Sequence, residues 1–241
     1  MRNSVGYLSR QWIFVICFTC HALPADCGQP VRETRTQVRE FDIFVDGSCA
    51  GTSSLKISEF NDGRTVIATE ADVKISYIVY AYKYQFRGSE TWRDGKFLRL
   101  ESQSADGGKR SSVVSEATKA GSRCSINGGA FAKMPTVSLT TNFWYWPESL
   151  EKQPAFTLLE SDIGGGLDVA CRLVGTEQLQ VGDQAVTCRH YQLTGGNTID
   201  LWFDEASRFV CKKCVEDGHP TEVRLTRVRD IAPKAVRPVR R

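Results

Sequence analysis

The chain has 241 residues, 41% of them hydrophobic and 24% charged, a balance that excludes disorder over most of its length and allows a sizeable core. Its formal charge of +3 sits at the ends: Arg2 and Arg10 precede the first acid, Lys234, Arg237, Arg240 and Arg241 follow the last, and residues 26–230 carry −3. The folded part therefore lacks the basic excess that a phosphate backbone demands, and nucleic acid is excluded as an expected partner.

The first 25 residues place two arginines before an apolar run from Trp12 to Cys20, followed by small residues and Pro24. This is the pattern of a signal peptide, cleaved after Ala22 or Ala25. The run is shorter than the roughly 20 apolar residues that a spanning helix needs, so no stable transmembrane anchor is expected. The expected location is exported, periplasmic or extracellular. Residues 26–37 read as a polar linker and residues 38–230 as a single β domain. The prolines and arginines of 231–241 read as a disordered basic tail.

Strands follow in quick succession. Glu40 to Val45 sets Phe41, Ile43 and Val45 on one face by the two-residue period; Thr52 to Ser58 and Arg64 to Ile75 come next, the latter after the turn Asn61-Asp62-Gly63. Ser76 to Phe86 is read as one strand whose Ile78, Tyr80, Tyr82, Tyr84 and Phe86 form the richest aromatic stripe of the chain. Asp94-Gly95 marks a hairpin joining Ser89–Arg93 to Lys96–Ser102. Arg110 to Ala117 and Arg123 to Ile126 complete a first meander over 38–126. Residues 127–154 lose the alternation, carry the cluster Asn142-Phe143-Trp144-Tyr145-Trp146-Pro147, and predict a connection with one helical turn after Pro147. A second meander occupies 155–228. Its end, Ala185 to Val228, reads as four strands parted by turns at Thr194–Asn197, Asp204–Ser207 and Glu216–His219. With short turns and no long helix, the expected fold is mainly β: a large curled antiparallel sheet, barrel or half-barrel, of two meanders with few helices. Its concave face needs a cover, and residues 127–154 are the expected plug or lid.

Seven cysteines remain after signal removal, an odd number: Cys27, Cys49, Cys124, Cys171, Cys188, Cys211 and Cys214. Folding the second meander about its turns sets Cys188 near Phe203, Cys211 near Asp200 and Cys214 near Asn197, so any disulfide must be long-range. Buried thiols and a few bridges are equally compatible with this. Cys211-Lys212-Lys213-Cys214 has redox or half-zinc spacing, but a strand lacks the helix N-terminus that activates such a thiol. On a strand the two side chains point to opposite faces, Cys211 toward the core with Phe209 and Cys214 away. Gly47-Ser48-Cys49-Ala50-Gly51 matches a nucleophile elbow only if a helix follows, and a strand does. His190, mid-strand beside Tyr191, has neither an orienting acid nor a nucleophile nominated by the sequence. No cofactor or metal is expected. Glu90 and the acids Asp168, Asp200 and Asp204 are candidates for hydrolytic chemistry, with no spacing that pairs them.

The run FDIFVDGSCAGTSSLKI, the segment Ser89-Glu90-Thr91-Trp92-Arg93-Asp94-Gly95, Asn142-Phe143-Trp144, Cys188-Arg189-His190-Tyr191-Gln192-Leu193-Thr194-Gly195 and Leu201-Trp202-Phe203-Asp204 together resemble a family of uncharacterised exported bacterial proteins, a domain of unknown function. The likeness covers most of residues 38–228. It implies a β-rich domain, more distantly similar to the half-barrels that carry lipoproteins or lipids across the periplasm, and it transfers no catalytic residue. The expected function is a non-enzymatic exported envelope protein whose curled sheet binds an apolar ligand or lipid-like group, or an envelope protein. Tyr80, Tyr82, Tyr84, Phe86, Trp92, Phe143, Trp144 and Trp146 are its candidate ligand-lining residues. A hydrolase of unknown substrate and an assembly module without a small-molecule site are the alternatives.

Overall fold

Fifteen strands and one short 3-10 turn make up most of the residues described in this computed structural model, 30–76 and 81–232. The signal-peptide pattern, Tyr80 and most of the basic tail lie outside the described residues. The first meander comprises β1 (Glu33–Val45), β2 (Ser48–Phe60), β3 (Arg64–Ser76), β4 (Ala81–Arg93), β5 (Lys96–Asp106), β6 (Lys109–Thr118), β7 (Gly121–Ile126) and β8 (Ala132–Met134). After β9 (Leu139–Thr140) and the 3-10 turn Glu148–Lys152, the second contains β10 (Ala155–Leu159), β11 (Gly166–Val181), β12 (Gln184–Thr194), β13 (Ile199–Asp204), β14 (Phe209–Glu216) and β15 (His219–Ile231). The sheet is mainly antiparallel and curled, as the alternation of the sequence demands.

The two meanders join into one sheet, because β1 pairs with β15 along ten residues, from Thr36 opposite Ile231 to Val45 opposite Thr221. From that central pair the strands run outward in ascending order from β1 to β8 at one edge and in descending order from β15 to β9 at the other. β9 pairs parallel to β10, the one parallel pair among the described strands. The hydrogen-bond ladder does not close. The two edge strands are nevertheless consecutive in the chain, and the four residues Pro135–Ser138 bridge them. Val137 N donates to Ser122 Oγ on the first meander (3.4 Å) and Ser138 N to the Thr157 carbonyl on the second (3.3 Å). The seam thus satisfies backbone groups that an open edge would leave exposed.

Three expectations need correction. The strand expected over Ser76–Phe86 is divided: Ser76 ends β3 and pairs with Ala81, which begins β4. No Gly, Pro, Asn or Asp marks that reversal. β4 then continues without a break through Gly88 to Arg93. The connection 127–154 is not wholly irregular, since it contributes β8 and β9, although its helical turn lies after Pro147 as expected. β1 begins at Glu33, inside the segment expected as a linker.

Along β4 the inward residues are Tyr82, Tyr84, Phe86, Gly88, Glu90 and Trp92, and they are more deeply buried toward the Trp92 end. The two tyrosines are half-buried, whereas Phe86, Glu90 and Trp92 are buried. The interior therefore has two unlike ends. At the Trp92 end, the segment Thr140–Leu150 fills the space inside the sheet: Trp146 stacks on Tyr191 with centroids 4.1 Å apart and touches Phe156 and Phe203, while Trp144 meets Trp92 edge-on at 5.9 Å. Large aromatics in such contacts bury the most apolar surface per residue, with about 0.5–1.5 kcal/mol beyond burial for each ring pair.

Candidate ligand cavity at the open end of the sheet

The plug ends in a tight turn, with Phe143 N donating to the Thr140 carbonyl at 3.1 Å. Phe143 holds φ +47°, a left-handed conformation that bulky residues adopt only when their surroundings impose it. Two neighbours impose it here. The Asn142 amide is drawn to the Glu90 carboxylate, and the Phe143 ring is directed at Phe209, 6.3 Å away. Glu90 is completely buried and also accepts from Trp92 Nε1 and Thr140 Oγ1, each at 2.8 Å. Burial pushes its carboxyl pKa up, and the three donors pull against that shift. It is closed off from solvent by its own partners, so what it does is fasten the plug to β4.

Beyond Phe143 the protein does not fill its interior. A cavity of about 520 Å³ lies between the inner faces of the two meanders, within the range of small-molecule sites. Its walls are apolar, with Phe41, Ile43 and Leu55 from the first meander and Ile199, Phe209 and Val223 from the second; Phe143 and Leu158 also line it. Phe86 completes the first wall. Its ring lies over Gly88, where an added Cβ would stand 2.8 Å from the ring tip. Only a residue without a side chain leaves that place free.

A polar border surrounds the apolar walls. The loop after β10 is strapped across β5, with Ser104 Oγ donating to the Asp162 carbonyl at 2.9 Å and Ser102 Oγ to the Ser161 carbonyl. The loop brings Glu160, Ser161 and Asp162 to the cavity. Tyr84 donates its hydroxyl to Asp162 at 3.3 Å, and burial together with that carboxylate raises the phenol pKa. Burial, with Asp162 nearby, also raises Glu160 above the usual carboxylate range. From β14, Lys212 enters on the inner face and its Nζ meets Glu216 at 2.7 Å; the lysine side chain is 19% exposed and the glutamate 53%. Burial lowers the Lys212 pKa, but Glu216 more than restores it, so it lies above its ordinary value; Lys212 in turn lowers Glu216. Cys214 lines the same wall with its thiol pushed up to about 12, mainly by burial, which keeps it protonated and unreactive at neutral pH.

The expected cysteine orientation is thereby reversed. Cys211 and Cys214 do lie on opposite faces, but it is Cys214 that lines the cavity, while Cys211, 2% exposed, is buried on the other face beside Trp202 and Glu222. The cause is a bulge: Phe203 pairs with Phe209 while Trp202 pairs with Cys211, leaving Val210 as the extra residue that flips the alternation. The expected cross-strand neighbours shift as well, since Cys188 pairs with Asp204, Cys211 with Trp202 and Cys214 with Ile199. The six described cysteines are free thiols.

Of the expected lining residues, Tyr84, Phe86 and Phe143 line the cavity. Tyr82 stands one step further out on the same face, bonded to Asp106. Trp92, Trp144 and Trp146 pack in the plugged end, and Tyr80 lies outside the described residues. Lys212, Glu160, Asp162, Thr69 and Ser161 were not singled out by the sequence. Lys212 lies inside the Cys211–Cys214 motif, but the outward facing expected of Cys214 turned it away from the interior as well.

The other chemical groups do not converge on this site. His190 lies on the outer face, stacked on Trp202 at 4.2 Å, with Nδ1 2.8 Å from Glu177 and Nε2 2.8 Å from Asp200. Two orienting acids are thus present, contributed by neighbouring strands. Because both ring nitrogens are taken, neither is left to activate a nucleophile. Cys49 is the second residue of β2, just after the Asp46-Gly47 hairpin, and is exposed. Among the described residues no group of three or more His, Cys, Asp or Glu is placed to hold a metal ion, and no helix is long and apolar enough to cross a membrane.

Comparison with known proteins matches residues 41–226 to a family described as Domain of unknown function (DUF6134). Among solved structures, the chain is similar to a beta-barrel-like protein of the domain of unknown function DUF1849 from Brucella abortus. That likeness has a TM-score of 0.57 at 8% identity and covers 85% of this chain and 100% of the other, so it concerns the fold alone. No curated protein matches the chain.

Proposed function

We propose, for a chain that belongs to the DUF6134 family of unknown function, a binding role without catalysis: the curled sheet holds an apolar, lipid-like ligand at its open end. The observation that carries this reading is the cavity of about 520 Å³ walled by Phe41, Phe86, Phe143 and Phe209 and left empty by a plug that fills the other end. An unfilled apolar space costs dispersion contacts that a packed core would recover, which favours an occupant. The exposed apolar residues Ile163 and Val215, in or beside turns at the cavity end, suit an apolar ligand passing inward. The signal-peptide pattern of the first 25 residues supports an exported, periplasmic or extracellular setting, where a carrier of apolar groups has work that bulk solvent cannot do.

Nile red titration tests the binding role. Wild-type protein is expected to enhance the dye's emission with saturation at one molecule per chain. Ala71→Trp, which puts an indole into the cavity wall beside Phe86, its cross-strand partner, is expected to abolish that signal while leaving the circular dichroism unchanged. Equal binding by both proteins, or by neither, removes the reading.

A further inference from the structure

The polar border of the cavity has a sign. Among the described residues its one cation is Lys212, held at 2.7 Å by Glu216, so its charge is already matched. Glu160 and Asp162 are carboxylates of the same wall. Asp162 takes the Tyr84 hydroxyl, but among the described residues no donor reaches the Glu160 carboxylate. An incoming carboxylate or phosphate would meet three acids and a lysine already paired, and like charges in a partly desolvated site repel.

Two further groups are waiting for a partner. Thr69 and Ser161, 6% and 1% exposed, line the same cavity, and the hydroxyl oxygen of each is buried without a hydrogen-bond partner among the described residues. Ser161 is adjacent to Glu160 in the loop strapped over β5. Buried polar atoms left unpaired destabilise the fold, and a bound polar group relieves that. An unpaired acid and two unpaired hydroxyls lining one cavity call for a group that donates hydrogen bonds and carries positive charge.

Resting on the binding role above, we propose that the cavity takes a single-chain amphiphile with a cationic amine head, the chain lying against Phe41, Phe86 and Phe209 and the head held by Glu160 with the hydroxyls of Thr69 and Ser161. The lysine then serves to hold Glu216 in place and has no part in gripping the head. The amine donates hydrogen bonds to a carboxylate and two oxygens at once, which a hydroxyl head cannot match and an anionic head reverses.

Isothermal titration with dodecylamine, dodecanol and dodecanoate, each below its micelle concentration, tests this on the wild-type protein and on Glu160→Gln. Dodecylamine is expected to bind at least about tenfold more tightly than dodecanol, a charge-assisted bond's difference, and dodecanoate more weakly than either. In Glu160→Gln the amine and the alcohol are expected to converge. The ranking of the three probes on wild-type protein stands even if the variant does not fold. Dodecanoate binding as tightly as the amine, or the alcohol matching the amine on wild type, overturns the head-group assignment and leaves the apolar cavity intact. No binding by any of the three overturns both readings.

Discussion

The two ends of this sheet are built from the same strands and by the same alternation, yet one is solid and the other is not. Walking inward along β4, Tyr82 and Tyr84 face the border of a cavity, while Glu90 and Trp92, a few residues later, are sealed against the plug. The strands do not make this difference. It comes from Thr140–Leu150, which supplies Phe143, Trp144, Trp146 and Leu150 to one end and stops at Phe143. A sheet this wide encloses more volume than its own side chains fill, so one added segment decides where the protein is core and where it is site.

The contrast is open to attack by mutation, most strongly at the plugged end. Trp146→Ala should cost about 3–5 kcal/mol in chemical denaturation, since it empties a fully buried site beneath Tyr191, Phe156 and Phe203. A loss below about 1 kcal/mol would mean that the plug is not core. Glu90→Ala should cost about 2–4 kcal/mol, because Trp92 Nε1, Thr140 and Asn142 lose their shared acceptor. Glu90 also carries a pH signature. Its folded pKa lies above the ordinary 4.5, so the stability it contributes is complete below that value and is lost as pH rises through the raised one. Wild-type protein should therefore lose stability relative to Glu90→Gln as pH rises from about 4.5, and denaturation at a series of pH values reads the difference.

Effects at the open end should be smaller in stability and larger in binding. Gly88→Ala pushes the Phe86 ring into the cavity, with an expected cost of about 1–2 kcal/mol and a weaker Nile red signal. Lys212→Met should change stability by less than about 1 kcal/mol, because its partner Glu216 is half-exposed and such pairs contribute little. A large loss there would place Lys212 with the core and erase the distinction between the ends.

The alternation of Phe41 and Ile43, of Ile199, Leu201 and Phe203, and of Tyr82, Tyr84 and Phe86 made the inward faces legible, and with them the curled sheet. The aromatic run Phe143–Trp146 made the plug legible as a segment, but not which of its rings would be packed and which would face empty space. Three features left no local trace. The reversal between Ser76 and Ala81 has no turn residue. The bulge at Val210 exchanged the faces of Cys211 and Cys214 and thereby hid the lysine between them. Glu160 and Thr69 meet the same cavity only because β3 and the loop after β10 close on each other across the interior, a long-range event that no spacing encodes.

Anomalous diffraction from crystals grown with a brominated fatty alcohol tests the division of the interior most directly. The account predicts one bromine site per chain, between Phe41, Phe86 and Phe209, and its loss in Ala71→Trp. A bromine among Trp92, Trp144 and Trp146, or an ordered wild-type crystal without any internal bromine, would contradict it.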